Sequence, residues 1–248
     1  MNVQLASGEV KTLSGKVRQR LIRPIETVYE SDWHTWKFWR NAFLIYWIFS
    51  FIGHILELIW VNLPLLVGKP PTNVLPLLVV AAPYGFGALM LIWVVHPLIK
   101  SNKASALTVF ILSCFLGGIV EFICAAAIVA VSPTHTNVFW DYSDQPFNLF
   151  GFVCLRNCLA FGVASLPGIY WLIPMVNNGI RWADEHWHKL LNAGTVALFA
   201  VYMIIQIMFV TGNPPAKVFN LPRPYFDIGG VCEEGGPCPP PKDKLTTL

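Results

Sequence analysis

The sequence predicts an all-α membrane protein, a bundle of about five transmembrane helices with a short re-entrant or interfacial segment between the third and the fourth. Three observations predict it. Of 248 residues, 55% are hydrophobic and only 12% are charged, about half the charge a soluble chain of this length uses to cover its surface. Five apolar runs occur, at 42–63, 75–99, 104–131, 149–175 and 193–212. Each approaches or exceeds the ~20 residues needed to cross ~30 Å of hydrocarbon. The stretch between the third and fourth runs, VFWDYSDQPFNLFG (138–151), carries carboxylates, turn-forming residues and aromatics but no Lys or Arg.

Taken in order, residues 1–41 form an expected cytoplasmic basic arm. Within it, Val17, Leu21, Ile25 and Val28 recur at near-helical spacing among Lys16, Arg18, Arg20 and Arg23, with a break at Pro24. Such a stretch suits the anionic inner leaflet. No cleavable leader is expected, so the first span acts as the insertion signal. Basic residues cluster before that span (Lys37, Arg40), between the second and third (Lys100, Lys103) and between the fourth and fifth (Arg181, Lys189). None lies in 132–148. The amino terminus is therefore expected in the cytoplasm, with the 132–148 loop and the Pro/Gly-rich tail 213–248 outside. The tail's own basic residues run against that rule. No internal repeat is evident, which argues against inverted-repeat transporters. In GIRWADEHWHKLL (179–191), Ile180, Ala183, Trp187 and Leu190 form a second apolar stripe, read as an interfacial anchor or a docking surface for a cytoplasmic partner. His186 and His188 are two apart and face differently on a helix, so no metal site is expected there.

The residues a bilayer should exclude are the most informative. His54 and Glu57 lie in the first span, Glu121 in the third and Arg156 in the fourth. A charge at membrane depth costs at least ~2.5–3.5 kcal/mol, so such groups face protein or water and take partners. Counting ~1.5 Å per residue from the outer end of each run puts all four between the outer third and the midplane. Arg156 is accordingly expected to pair with Glu57 or Glu121. In the second span, AAPYGFGA (81–88) brings Pro83, Tyr84 and two glycines to the same layer, read either as a kink with close packing or as unwound backbone lining a cavity. Trp60 shares a face with Gly53 and Glu57. The 138–151 loop is expected to cover this layer, with Trp140 and Tyr142 dipping inward, Asp141 capping a turn and Asn148 capping the fourth helix. The candidate site is thus His54, Glu57, Trp60, Tyr84, Glu121, Trp140, Asp141, Tyr142, Asn148 and Arg156.

Cys114, Cys124, Cys154 and Cys158 read as small buried hydrophobes. Cys232 and Cys238, on the expected outer side, are a candidate disulfide in an oxidising compartment. No metal or cofactor is expected. His54 and His96 lie at different depths and cannot share one haem iron.

Three blocks carry a family resemblance: GHILELIW (53–60), APYGFGA (82–88), and Glu121 followed by FWDYSDQPFNLFG (139–151). With them the chain resembles the CmpB-like family of bacterial multi-pass membrane proteins, described as putative ABC-transporter permeases. The resemblance covers about residues 50–165, and W-D-Y-S-x-x-P-x-N-L is its most specific string. The family places Arg directly after the glycine, where this chain has Phe152, with Arg156 one turn later. The resemblance implies a transporter component in the bacterial inner membrane, working with a cytoplasmic ATPase or another membrane subunit. No G-x-x-x-x-G-K-[ST] string occurs, so the chain is not expected to hydrolyse ATP itself.

The functional expectation is a permease-like component with a polar intramembrane pocket for a small cation, an amine-bearing or an amphiphilic substrate. Two alternatives stay open. One is a non-catalytic subunit or regulator whose buried ion pairs are structural. The other is a membrane enzyme acting on a lipid, disfavoured because no metal-ligand spacing and no Ser/His/Asp order stands out.

Overall fold

A computed structural model describes residues 32–62, 82–101, 103–131, 135, 137 and 140–210, without the side chains of 60–62, 209 and 210. The basic arm up to residue 31, the tail with Cys232 and Cys238, and the Trp60 side chain lie outside the described residues. Helix α1 spans Trp36–Asn62. Helix α2, Ala82–Met90, continues through a π-helical turn, Leu91–Val95, into α3, His96–Lys100. Helix α4 spans Ala106–Val131. A two-residue antiparallel ribbon follows, β1 (Asn148–Leu149) paired with β2 (Val153–Cys154) in the register Asn148↔Cys154. Helix α5, Leu155–Pro167, runs through a second π-turn, Gly168–Leu172, into α6, Ile173–Val210.

Local chemistry sets several boundaries. The first helix begins six residues before the apolar run because Thr35 caps it, its hydroxyl accepting from the Phe38 amide at 3.4 Å. Ser105 does the same for α4, accepting from the Thr108 amide at 3.2 Å. The second helix is described from Ala82 onward, and its expected start near residue 75 lies outside the described residues. From Pro83 the helix runs on without a break to Met90, so the glycines of this stretch lie in wound backbone.

Among the described residues, four helices are long and apolar enough to cross a membrane: Trp36–Ile59, Ala82–Lys100, Ala106–Val131 and Leu155–Met208. The fourth holds both of the last two expected spans in one run, interrupted by non-helical backbone at Trp187 (φ −135°, ψ 39°). Side-chain pairings give the directions. Against α1, Glu57 meets Tyr84, Tyr46 meets Phe86 and Phe38 meets Trp93, so α2 is antiparallel to it. Tyr84 meets Phe161 and Leu91 lies beside Gly168, so α5 is parallel to α2. Trp36 meets Asn192, Phe43 meets Phe199 and Tyr46 meets Tyr202, so the last part of α6 is parallel to α1. The chain therefore reverses between residues 168 and 192.

The core lies where α1, the α2–α3 run and the start of α6 meet, around Ile45, Phe49, Ile92, Val95, Ile169 and Ile173. Helix α4 shows the converse pattern. Leu107, Ile111, Phe115, Ile119 and Ile123 are exposed four residues apart, one apolar stripe facing away from the protein. Its other face carries Ser113, Gly118, Glu121 and Ala125, buried against α5. Close approach there needs small residues, since a Cβ on Gly118 would lie 2.9 Å from the Cys158 sulfur.

Candidate functional site

The two intramembrane carboxylates sit on different helix pairs. Glu57, toward the carboxyl end of α1, accepts a 2.5 Å hydrogen bond from the Tyr84 hydroxyl of α2. The Tyr84 ring lies directly over Gly53, where a methyl group would overlap it. The local sequence thus has a reason: glycine one turn before the carboxylate makes room for the ring that serves it.

Glu121 is 4% exposed, on the buried face of α4. Its Oε1 accepts from the Tyr142 hydroxyl at 2.9 Å and from Asn157 Nδ2 at 3.2 Å. Asn157 Nδ2 also donates to the Tyr142 oxygen at 2.5 Å, closing a three-membered ring of polar contacts. Its other oxygen, Oε2, is fully buried and has no hydrogen-bond partner among the described residues.

The segment before α5 delivers Tyr142. Its amide donates to the Gly151 carbonyl at 2.9 Å, and the Trp140 indole donates to the Phe152 carbonyl at 2.9 Å. Asp141 Oδ1 accepts from the amide of Ser143 at 2.9 Å and from its hydroxyl. Asn148 braces the turn from within, donating to the Gln145 carbonyl at 2.8 Å and accepting from the Gly151 amide at 3.1 Å. Three consecutive-range residues adopt left-handed backbone, Phe147 (φ 53°), Phe150 (φ 56°) and Gly151 (φ 69°). For bulky phenylalanines this is uncommon and needs such bracing. Asn148 is therefore a turn brace and not the cap of the fourth helix, which starts only at Leu155 after extended Cys154.

The expected pairing of Arg156 with a glutamate is corrected. Arg156 is exposed, in the first turn of α5, and no ion pair to Glu57 or Glu121 occurs among the described residues. The cause is helix geometry. Asn157, Cys158, Phe161 and Gly162 face α4, while Arg156, Leu159, Ala160 and Val163 face outward. One residue of helix turns a side chain by about 100°. The later helix start also leaves Arg156 in the first turn of α5, exposed. Of the remaining expected residues, Tyr84 pairs with Glu57 and Tyr142 with Glu121, Trp140, Asp141 and Asn148 hold the loop, and His54 is buried one turn from Glu57. The neighbour of Arg156, Asn157, is the residue the sequence reading passed over. A groove of about 420 Å³ lined by Leu166, Pro167, Tyr170 and Trp171 is apolar and lies elsewhere, ~14 Å along α5 from Asn157.

A second polar centre lies at the other end of the bundle. Arg40, 1% exposed, donates to Asp184 Oδ1 at 2.6 Å, to Asn192 Oδ1 at 2.8 Å and to Asn41 Oδ1 at 2.9 and 3.1 Å. Asp184 also takes Lys37 at 3.1 Å and His188 at 2.8 Å. Hydrogen bonding from Arg40, ahead of that from His188 and Lys37, holds the Asp184 carboxyl well below the usual carboxylate range. This network ties the reversal around Trp187 to the first turns of α1. The 179–191 segment is thus clamped as well as interfacial, with Ile180 buried and Trp182, Trp187 and Leu190 exposed.

No curated protein and no solved structure matches the chain. The profile of the family described as "Putative ABC-transporter type IV" matches residues 44–209, which takes in α1 from Leu44 onward, the Tyr142 loop, both carboxylates and all of α6 but its last residue. The apolar helices and that match make this a membrane protein of transport type, and the chain belongs to that CmpB family.

Proposed function

We propose that the chain is a permease-like subunit of a membrane transporter, with a polar intramembrane site around Glu57, Tyr84, Glu121, Tyr142 and Asn157 for a small cation, an amine-bearing or an amphiphilic substrate. The observation that carries the reading is Glu121, a buried carboxylate inside a span-length helix whose ligands come from a loop and from a neighbouring helix. Polar groups this expensive at membrane depth are retained where ions or substrates pass.

In this reading the chain crosses the bacterial inner membrane five times. The reversal between 168 and 192 supports two crossings from the last helical run. The amino terminus is cytoplasmic by loop charge, and the 140–154 segment is a re-entrant cover of the outer half. A cytoplasmic ATPase engages the Trp182–Lys189 elbow. Cys232 and Cys238 pair outside. The test has two arms. Single cysteines at Gln145 and at Arg181 should react with an impermeant maleimide from opposite sides of sealed membranes. Mild-detergent purification should retain ATP hydrolysis that is lost with Trp187→Ala. Same-side labelling would overturn the topology, and a preparation without ATPase would overturn the partner.

A second reading has an observation of its own. Both Tyr–carboxylate bonds join neighbouring elements, so they also serve packing, as a regulator or non-catalytic subunit would require. Glu121→Gln separates the two: loss of transport with stability kept supports a site, and loss of stability with transport kept supports packing.

A further inference from the structure

We infer that Glu121 Oε2 is the attachment point for the ammonium group of an amine-bearing substrate, with Glu57 a charge partner held back by Tyr84. The inference rests on the permease reading and narrows its substrate class. Three observations lead to it. First, the two oxygens of Glu121 differ. Oε1 takes both Tyr142 and Asn157, whereas Oε2 is buried with no partner among the described residues. A buried acceptor without a donor is strongly unfavourable, and an N–H donor from a ligand removes the penalty. Second, no Lys or Arg is paired to either acid among the described residues, and Arg156 faces away. His54, buried one turn from Glu57, is the titratable neighbour on that side. The layer therefore favours a positive charge arriving from outside. Third, the walls are aromatic. Tyr84 packs edge-on to Phe161 at 6.1 Å between centroids, and Tyr142 closes the other side. Among the described residues no group of three or more His, Cys, Asp or Glu side chains gathers to hold a metal ion. Two acids, hydroxyls and ring faces suit a cation with an apolar body, which gains from ring contact, better than a metal ion needing six oxygens.

Tyr142 gives the site its dependence on the loop. Its hydroxyl donates to Oε1, and this orients the carboxylate so that Oε2 is the free oxygen. Tyr142 is accordingly a positioning residue for the ammonium, and Glu121 the contact residue.

The experiment measures equilibrium binding of radiolabelled hexylammonium to the purified full-length chain in lipid nanodiscs. The expected result is saturable binding, unaffected by hexanol and by sodium chloride. Glu121→Gln should lose about tenfold or more in affinity, the scale of a charge-assisted hydrogen bond. Glu57→Gln should lose less, and Tyr142→Phe should weaken binding while leaving the chain folded. Absence of saturable binding to the native chain, equal competition by hexanol, equal competition by sodium, or unchanged affinity in Glu121→Gln would each overturn the inference. If Glu121→Gln does not fold, the Tyr142→Phe and Glu57→Gln pair decides: a larger loss at Glu57 refutes it. The readout needs no transport. Binding without translocation would sink the permease reading alone, and translocation without hexylammonium binding would sink this inference alone.

Discussion

Replacing Arg40 tests the clamp at the reversal. Arg40→Met keeps the bulk of the stem and removes the guanidinium, which is 1% exposed and makes four hydrogen bonds of 2.6 to 3.1 Å. Removing one member of a buried charge pair typically costs ~3–5 kcal/mol. Asp184 keeps Lys37 at 3.1 Å and His188 at 2.8 Å, so the low end applies, about 3 kcal/mol. Asp184→Asn leaves the guanidinium with Asn192, Asn41 and an amide oxygen, and should cost about 2 kcal/mol. If the two side chains act as a pair, the double variant is less destabilised than the sum of the singles by ~1–3 kcal/mol. The assay is unfolding of detergent-solubilised protein by titration with SDS, followed by tryptophan fluorescence. Additivity within about 0.5 kcal/mol would refute the clamp, whatever the single variants do.

The remaining predictions concern the same elements. Because the folded Asp184 carboxyl is held below the ordinary value of about 3.9, its contribution is fully present above that pH and is lost as pH falls through the folded value. In Asp184→Asn the acid limb of a stability–pH curve should flatten. Tyr142→Phe removes a donor to Glu121 and an acceptor for Asn157, so the SDS titration should register a loss of ~1–3 kcal/mol. Gly151→Ala combines a left-handed φ of 69° with a Cβ 2.9 Å from Asp141 Oδ1. It should loosen the loop, costing ~1–2 kcal/mol of strain and accelerating amide exchange at Tyr142. Gly53→Ala drives a methyl into the Tyr84 ring and should both destabilise by ~1–3 kcal/mol and break the Glu57 bond, seen as a blue-shifted Tyr84 ultraviolet band.

Much of the architecture was legible because bilayers impose long apolar runs. The third span was read to within two residues, since its hydropathy falls off sharply at both ends. The second span's expected start near residue 75 lies outside the described residues, and its other end was read to within one residue, at Lys100. The first span's start depended on Thr35, a single hydroxyl that hydropathy does not weigh. Within the site, Glu57, Tyr84, Glu121 and Tyr142 were readable as polar groups in apolar company. Arg156 misled because charge drew the eye and helical rotation did not. Asn157, adjacent and uncharged, has the orientation that matters. The clamp was unreadable from sequence, because Arg40 and Asp184 lie 144 residues apart and each alone looks like a topology signal. One turn back along α5 from Phe161, whose ring lies against Gly117 of α4, a residue returns to within about 40° of the same direction, and that residue is Asn157.

The two π-turns, Leu91–Val95 and Gly168–Leu172, sit side by side on parallel helices, with Leu91 beside Gly168. Each amounts to one residue inserted into an α-helical turn, a phase slip of about 100°. Everything beyond that level, along α3 and into α6, is therefore rotated relative to the carboxylate layer. Deleting one residue from a single turn would bring only that helix back to regular winding and set the pair out of step, whereas a matched deletion in both would keep them aligned. The twin slips let the half of the bundle that holds the carboxylates present hydroxyls and amides inward while the other half, on the same two rods, presents isoleucine and valine.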